Sequence, residues 1–498
     1  MKPLMLTGEA LTLEELYQVA YDHRKVEIDP EAVDRVDRAR QILFDMAAEG
    51  KPVYGLNRGV GWNKDKEFDK EFFEQYNRNL LNTHCLGVPP YHNKPEARAI
   101  MLIRLNKVLL GCTGISSDLL HCFVEYLNED IMPLIPRRSS VGEGDITTLS
   151  HLGMAFIGEE QVIYKDEQML SGAAMEAIGL SIPTLGPKDG LSILSSNAQG
   201  EAMAALNVKE AEDLIDTANL VACLSLEGIN GVMESYRSDV NDLRQLRGQI
   251  KSAQKMREHL EGSFLHEKDP NRQIQDPLSF RCAHAIHGTT IDALDFIKEH
   301  LEIQLNATDD NPCIVLEDGT SYVSGNFETT TLSIGVEMLG IALSHLSKGS
   351  CYRTMKLSDP AFTGLTRFLT PQEVVTIAYG TIQKTYTSLD TEIRYLANPS
   401  SMDFFSVAGN IEDHASNLPI ASDKVFKILD NLRYIIGIEA MHAVQAIDLR
   451  GKKPLGVDTA KAYEKIRAVV PYYDKDRNIS KDIAAMYELI KSNALIKK

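Results

Sequence analysis

The 498-residue sequence carries no excess of positive charge: 52 Lys and Arg stand against 70 Asp and Glu, a formal net charge of −18. Nucleic acid and anionic membrane are themselves polyanions, so neither is an expected partner; a small molecule or another protein is. No uninterrupted apolar run reaches the roughly 18 residues of a membrane span. The opening stretch MKPLMLTGEALTLEELYQVA lacks a basic segment followed by an apolar one, so a cytoplasmic location is expected. The seven cysteines, Cys85, Cys112, Cys122, Cys223, Cys282, Cys313 and Cys351, are odd in number and scattered, without a CxxC pair or a Cys/His cluster. That pattern excludes a disulfide framework, leaves no spacing for a metal site, and reads as reduced thiols in a core. Internal repeats and low-complexity tracts are absent as well.

What is present is a globular composition, 44% hydrophobic, able to bury a large core. Residues 1–204 alternate short amphipathic segments with loops rich in Gly, Pro and Asn. From 205 to 498 the pattern changes. NVKEAEDLIDTANLVACLSLEGINGVMESY, TTLSIGVEMLGIALSHLSKGSCYRTM, PQEVVTIAYGTIQKTYTSLDTEIRYLA and SDKVFKILDNLRYIIGIEAMHAVQAIDLRG each repeat apolar residues at helical spacing. Asn207, Pro371 and Ser422 are the expected starts of three of these helices, and Gly451 the end of the last. The expected fold is all-α: a long-helix bundle in 205–498 behind a loop-rich helical N-terminal domain in 1–204. The clearest strand candidate is NPCIVLEDGTSYVSG, turning at EDGT.

Five loop-like stretches combine Gly, Asn or Asp with one aromatic, Arg or carboxylate: VYGLNRGVG (53–61), RRSSVGEGD (137–145), QDPLSFRCAHAIHG (275–288), NATDDNPCIV with VSGNF (306–327), and GNIEDHAS (409–416). Tyr54, among glycines, either presents its phenol to a cavity or anchors a turn. Arg281, between Phe280 and Cys282, is either a buried fork for a carboxylate or half of an internal salt bridge. Glu412, Asp413 and His414 offer an acid or base, or else a capped helix start.

In this order, these stretches resemble the aromatic amino-acid ammonia-lyases, above all histidine ammonia-lyase, over nearly the whole chain. YGLNRGVG is similar to the family's tyrosine loop, NRNLLNTH to its histidine motif, and QDPLSFR, NATDDNP with SGNF, and IEDHAS to its later signatures. The resemblance implies a homotetramer with active sites shared between chains. It also implies an Ala-Ser-Gly tripeptide that becomes an electrophilic methylidene-imidazolone. Here the flanks SVG and GD remain, but Glu143-Gly144 stands in its place, one residue short and without the serine that would lose water. No cofactor and no metal are therefore expected. Other departures are Leu278 for a tyrosine, Ser195 for an asparagine that supports the cofactor, Glu328 after GNF, Ile411 before Glu412, and Lys384 where the family carries an apolar residue.

Without the electrophile, loss of ammonia from a histidine-like acid is unfavourable, whereas trimethylamine departs neutral from a quaternary nitrogen. A family member without its electrophile then implies a betaine of histidine as substrate: ergothioneine, giving trimethylamine and thiolurocanate, or alternatively hercynine or another β-aryl betaine. On that reading Tyr54 takes the β-proton and Lys384 and Glu412 hold and polarise the ring. Arg281 pairs with the substrate carboxylate, while His84, Ser195, Gln275, Asn326 and Phe327 line the pocket. Glu143 either faces the trimethylammonium group or caps a helix. The remaining alternative is an inactive relative that binds a histidine-like ligand.

Overall fold

A computed structural model describes residues 1–67, 72–371 and 376–497. About 60% of it is helical, and its strands are short, as the patterning predicts. The chain divides into two compact units, each assembled from three sequence segments: 1–206 with 297–336 and 399–423, and 207–296 with 337–398 and 424–498. No helix among the described residues is long and apolar enough to cross a membrane.

The first unit is organised around the helix Lys94–Val108. Asn93 caps it reciprocally with Glu96. Every residue from Glu96 to Val108 is buried, so its polar side chains must find partners inside the protein. They do. Lys107 Nζ reaches Glu201 Oε1 at 2.6 Å and Asp309 Oδ2 at 2.8 Å, and Arg104 reaches Asp309 at 3.3 Å and Asp310 at 3.2 Å. Lys188 lies 3.6 Å from Asp310, so three cations balance three carboxylates, all buried. Asp309 Oδ2 also accepts from Ser196 Oγ at 2.7 Å and from the Asn197 amide at 2.9 Å.

In the second unit the same logic ties the parts of three long helices, Ala198–Ile229, Thr330–Leu357 and Leu418–Leu449, that lie within it, from 207, 337 and 424 onward. Arg353 grips Glu439 with two parallel bonds, Nε to Oε1 at 2.5 Å and Nη2 to Oε2 at 2.9 Å. Ser225 and Ser350 donate to the same carboxylate at 2.7 and 2.5 Å. The remaining guanidinium nitrogen donates to the Ser279 carbonyl at 3.1 Å, which fixes the short helix Leu278–Arg281.

Several helix starts differ from the sequence expectation. The helix expected at Asn207 begins at Ala198, and the one expected at Ser422 begins at Leu418, so both residues are buried in helix interiors. The free amides of the first of these are satisfied by one local and one remote group: Ser196 Oγ accepts from Ala198 N at 3.2 Å, and Asp145 Oδ2 from Gly200 N at 3.0 Å. Beyond Pro371, residues 372–375 lie outside the described residues; a single 3-10 turn, Ala378–Gly380, precedes a helix limited to Gln383–Leu396. The last long helix ends as expected, with Gly451 left-handed at φ 86°. The expected hairpin forms from Cys313–Val315 and Thr320–Tyr322. All seven cysteines are free, but only Cys122, Cys223 and Cys351 are buried; Cys85, Cys112, Cys282 and Cys313 are half-exposed, because they stand on loops and element ends.

Replacing Lys107 with Met leaves Asp309 and Glu201 buried without their cation. It is expected to cost about 3–5 kcal/mol of stability, read as a lower midpoint of urea unfolding; an unchanged midpoint would show that the network is not the anchor of its unit.

Candidate active site

The tyrosine loop is shaped by close approach. Asn57 Oδ1 accepts from the Val53 amide at 2.7 Å, and Gly55, at φ 73°, leaves no room for a side chain because a Cβ would lie 2.4 Å from Leu191 Cδ2. This turn aims Tyr54 so that its hydroxyl oxygen accepts from the Gly61 amide at 2.6 Å. A Cβ on Gly61 would lie 3.8 Å from Glu412 Oε1, which places the Glu412 carboxylate beside the same turn. The two loops are locked by Trp62, whose indole packs where a Cβ on Gly409 would sit, 2.8 Å away. Burial, despite the Gly61 hydrogen bond and reinforced by the negative charge of Glu412, raises the Tyr54 pKa. The resting side chain is a phenol. Tyr76 lies close enough to Tyr54 to feel its charge, and burial pushes its own hydroxyl up to about 12.

The modified loop is pinned from both sides. Gly142, at φ 83°, passes so close to Ser416 that a Cβ would lie 2.4 Å from its Oγ, and that hydroxyl donates to the Gly142 carbonyl at 2.9 Å. The Asn417 amide donates to the Val141 carbonyl at 2.7 Å. On the other side the Gly144 amide donates to Asn197 Oδ1 at 2.9 Å, and Asn197 Nδ2 donates to the Phe327 carbonyl. Asp145, fully buried, accepts from Ser140 Oγ at 2.5 Å.

Glu143 projects from this loop toward Glu328 and His414, and one donor atom from each of the three lies within 4.8 Å of the others. Glu328 Oε1 is 3.4 Å from His414 Nε2 and accepts from the Thr330 amide at 2.8 Å. Glu143 Oε1 is buried and has no hydrogen-bond partner among the described residues. Burial, then repulsion from Glu328, pushes the Glu143 carboxyl up to about 8 despite a hydrogen bond from the Ser416 backbone. A cation placed between Glu143 and Glu328 would relieve both costs.

Among the residues anticipated from sequence, the first unit therefore brings Tyr54 to Glu412 and places Glu143 beside two residues not anticipated as ligands, Glu328 and His414. Asn326 and Phe327 directly precede Glu328, and Ser195 directly precedes the Ser196-Asn197 pair that anchors the loop. His84 is held separately: its Nδ1 is 2.7 Å from the Leu80 carbonyl of its own helix, Phe73–His84. Arg281, Lys384 and Gln275 belong to the second unit. Arg281 is half-buried with its Nε unpartnered, whereas Lys384, in the first turn of its helix, and Gln275 are exposed. Trp62 is not singled out by the sequence reading, whereas Glu328 and His414 are, the first as a departure after GNF and the second as a possible acid or base, but neither as a neighbour of Glu143. The signal for Trp62 was position alone, beside a stretch already singled out.

The family model for aromatic amino acid lyases matches residues 11–468. Histidine ammonia-lyase of Macrococcus caseolyticus is 34% identical over 99% of both chains, and that of Stigmatella aurantiaca is 35% identical over 99% of this chain and 97% of the relative. Among solved structures, ergothionase of Treponema denticola, in complex with desmethyl-ergothioneine sulfonic acid, is 64% identical over 100% of both chains with a TM-score of 0.98. Histidine ammonia-lyase of Trypanosoma cruzi, 26% identical over 99% of this chain and 94% of that one, superposes with a TM-score of 0.90.

The raised Glu143 carboxyl has a stability signature. Its folded pKa of about 8 exceeds the ordinary 4.5, so its contribution is complete below 4.5 and is lost as pH rises through about 8. Glu143→Gln removes this loss. Its melting temperature is expected to gain on that of the native chain progressively from pH 4.5 to 8, and a constant difference would place an ordinary, solvated carboxylate at 143.

Proposed function

The chain belongs to the aromatic amino acid lyase family and is a carbon–nitrogen lyase, and from that premise we propose that it eliminates trimethylamine from ergothioneine to give thiolurocanate. The observation that carries this reading is the loop at 141–145. Its sequence, Val-Gly-Glu-Gly-Asp, offers no Ala-Ser-Gly to cyclise and no serine to dehydrate, so its residues do not fit the methylidene-imidazolone group. In its place stands a carboxylate with an orphaned oxygen. The full-length likeness to an ergothionase supports the same substrate.

A trimethylammonium group carries a positive charge but no N–H. It satisfies a carboxylate by charge alone, which suits Glu143 Oε1, an atom with no hydrogen-bond partner among the described residues. In this reading Glu143, with Glu328 behind it, holds the quaternary nitrogen. The same cation opposes the burial and the Glu412 charge that keep Tyr54 protonated, and the Gly61 amide already donates to the oxygen where the phenolate charge forms. Substrate binding thus prepares its own base.

Tyr54 takes the β-proton, the electron pair forms the Cα–Cβ double bond, and the Cα–N bond breaks to release neutral trimethylamine. Lys384 and Glu412 hold and polarise the thione-imidazole ring, which delocalises charge from the β-carbon, and Arg281 pairs with the substrate carboxylate. His84, Ser195, Gln275, Asn326 and Phe327 complete the pocket. A homotetramer with sites shared between chains, and a cytoplasmic location, belong to the same reading.

Purified protein given ergothioneine, hercynine or histidine separately is expected to release trimethylamine from ergothioneine, with the ultraviolet absorbance of a conjugated acrylate. Preference for hercynine would move the substrate and keep the chemistry, whereas ammonia from histidine would overturn the reading of the Glu143 loop. Tyr54→Phe is expected to lower kcat by about 10²–10⁴-fold, and Lys384→Met to lower it with ergothioneine; near-normal turnover in either variant removes that residue from its role.

A further inference from the structure

Outside the candidate active site, the first unit gathers a second set of donor side chains. Cys85, remote in sequence from His151 and Glu160, joins them so that one donor atom of each lies within 4.8 Å of the others. Each stands on a fixed element. Cys85 caps the C-terminus of Phe73–His84, its amide bonded to the Leu81 carbonyl at 3.1 Å. His151 is on the helix Ile146–Phe156. Glu160 immediately precedes the strand Gln161–Tyr164, and its Oε1 accepts from the Gln161 amide at 2.8 Å. The backbone leaves room for the imidazole only because residue 87 is glycine: a Cβ there would lie 3.2 Å from His151 Nε2 and 2.5 Å from Pro136.

The imidazole contacts Glu160 through Nδ1 at 2.8 Å, while Nε2 is buried with no hydrogen-bond partner among the described residues. A thiol, an imidazole and a carboxylate gathered in this way offer one donor atom each to a shared partner. The chemistry of the set is mixed: one sulfur, one nitrogen and one oxygen.

We propose that Cys85, His151 and Glu160 form a zinc site with three protein ligands and a fourth position open to water. Magnesium and calcium favour oxygen donors throughout, whereas zinc accepts thiolate, imidazole and carboxylate in one tetrahedral shell. Two anionic ligands would make the site neutral with Zn²⁺, the condition under which such charges are tolerated half-buried. The Zn–S bond forms as the Cys85 S–H bond is lost and its proton passes to solvent. Burial, with the charge of Glu160, raises the Cys85 pKa despite a hydrogen bond with Ser150, so without metal this thiol is protonated rather than a ready nucleophile. Zinc would join the end of the Phe73–His84 helix to Ile146–Phe156, stiffening the connection next to His84.

The test uses the full chain stripped by a chelator and then titrated with zinc sulfate. Metal analysis after gel filtration is expected to find one zinc per chain, with a melting temperature that rises with zinc concentration. Cys85→Ser and Glu160→Gln are expected to weaken binding by at least about tenfold. Cobalt(II) gives a readout that needs no altered fold: the native chain should show a sulfur-to-cobalt charge-transfer band in the near ultraviolet, absent in Cys85→Ser and retained in Cys313→Ser. A native chain that retains no zinc, or a band lost in Cys313→Ser instead, would overturn the site. So would zinc binding that survives Cys85→Ser but not His414→Asn, since the metal would then lie at Glu143, Glu328 and His414.

Discussion

The structure of the first unit depends on where one carboxylate can be placed. Asp309 is fully buried, and it is stable there because Lys107 and Arg104 from one helix supply charge while Ser196 and the Asn197 amide supply hydrogen bonds. Removing two charges from water is costly, and only such dense compensation offsets it. The consequence reaches the active site. With its amide held by Asp309, Asn197 is fixed in orientation, and its side chain holds Gly144 on one side and Phe327 on the other. The loop that bears Glu143 and the stretch that leads to Glu328 are therefore referenced to the same buried anchor.

That rigidity lets the loop hold a carboxylate in an unfavourable state. Glu143 sits half-buried, near a second carboxylate and with an oxygen unpartnered, which would be poor design for a residue whose only task was to close a turn. Functional sites commonly keep such groups because a ligand completes them. The Tyr54 oxygen shows the opposite balance: one amide donor favours its ionised form, while burial and Glu412 oppose it. Both residues are poised for a cation, and a quaternary betaine brings one.

The second unit solves its own burial problem with Arg353 and Glu439, whose bidentate pair also receives two serine hydroxyls. The spare guanidinium nitrogen fixes Ser279, two residues before Arg281. In each unit, then, a buried ion pair in the scaffold extends by one hydrogen bond to the backbone beside a candidate site residue.

Long helices were legible in the sequence because apolar residues recur at helical spacing over many turns, and the end at Gly451 because the left-handed cap favours glycine. The hairpin at Cys313–Val315 and Thr320–Tyr322 was legible for an equally local reason, alternation about a turn. Tyr54, Glu412 and the altered 141–145 loop could be picked out because their residue types are unusual for their settings. The helix start at Ala198 could not, since Asp145, remote in the chain, supplies an acceptor to Gly200 in the first turn. Nor could the meeting of Glu143 with Glu328 and His414, or of Cys85 with His151 and Glu160, be read from spacing. The sequence by itself determined the helical class, the family and the loss of the cyclising tripeptide, all of which are written in local pattern and residue identity. Which carboxylates face one another, and which oxygen lacks a donor, only the tertiary structure decided, because burial and electrostatic coupling depend on distance through space and not along the chain.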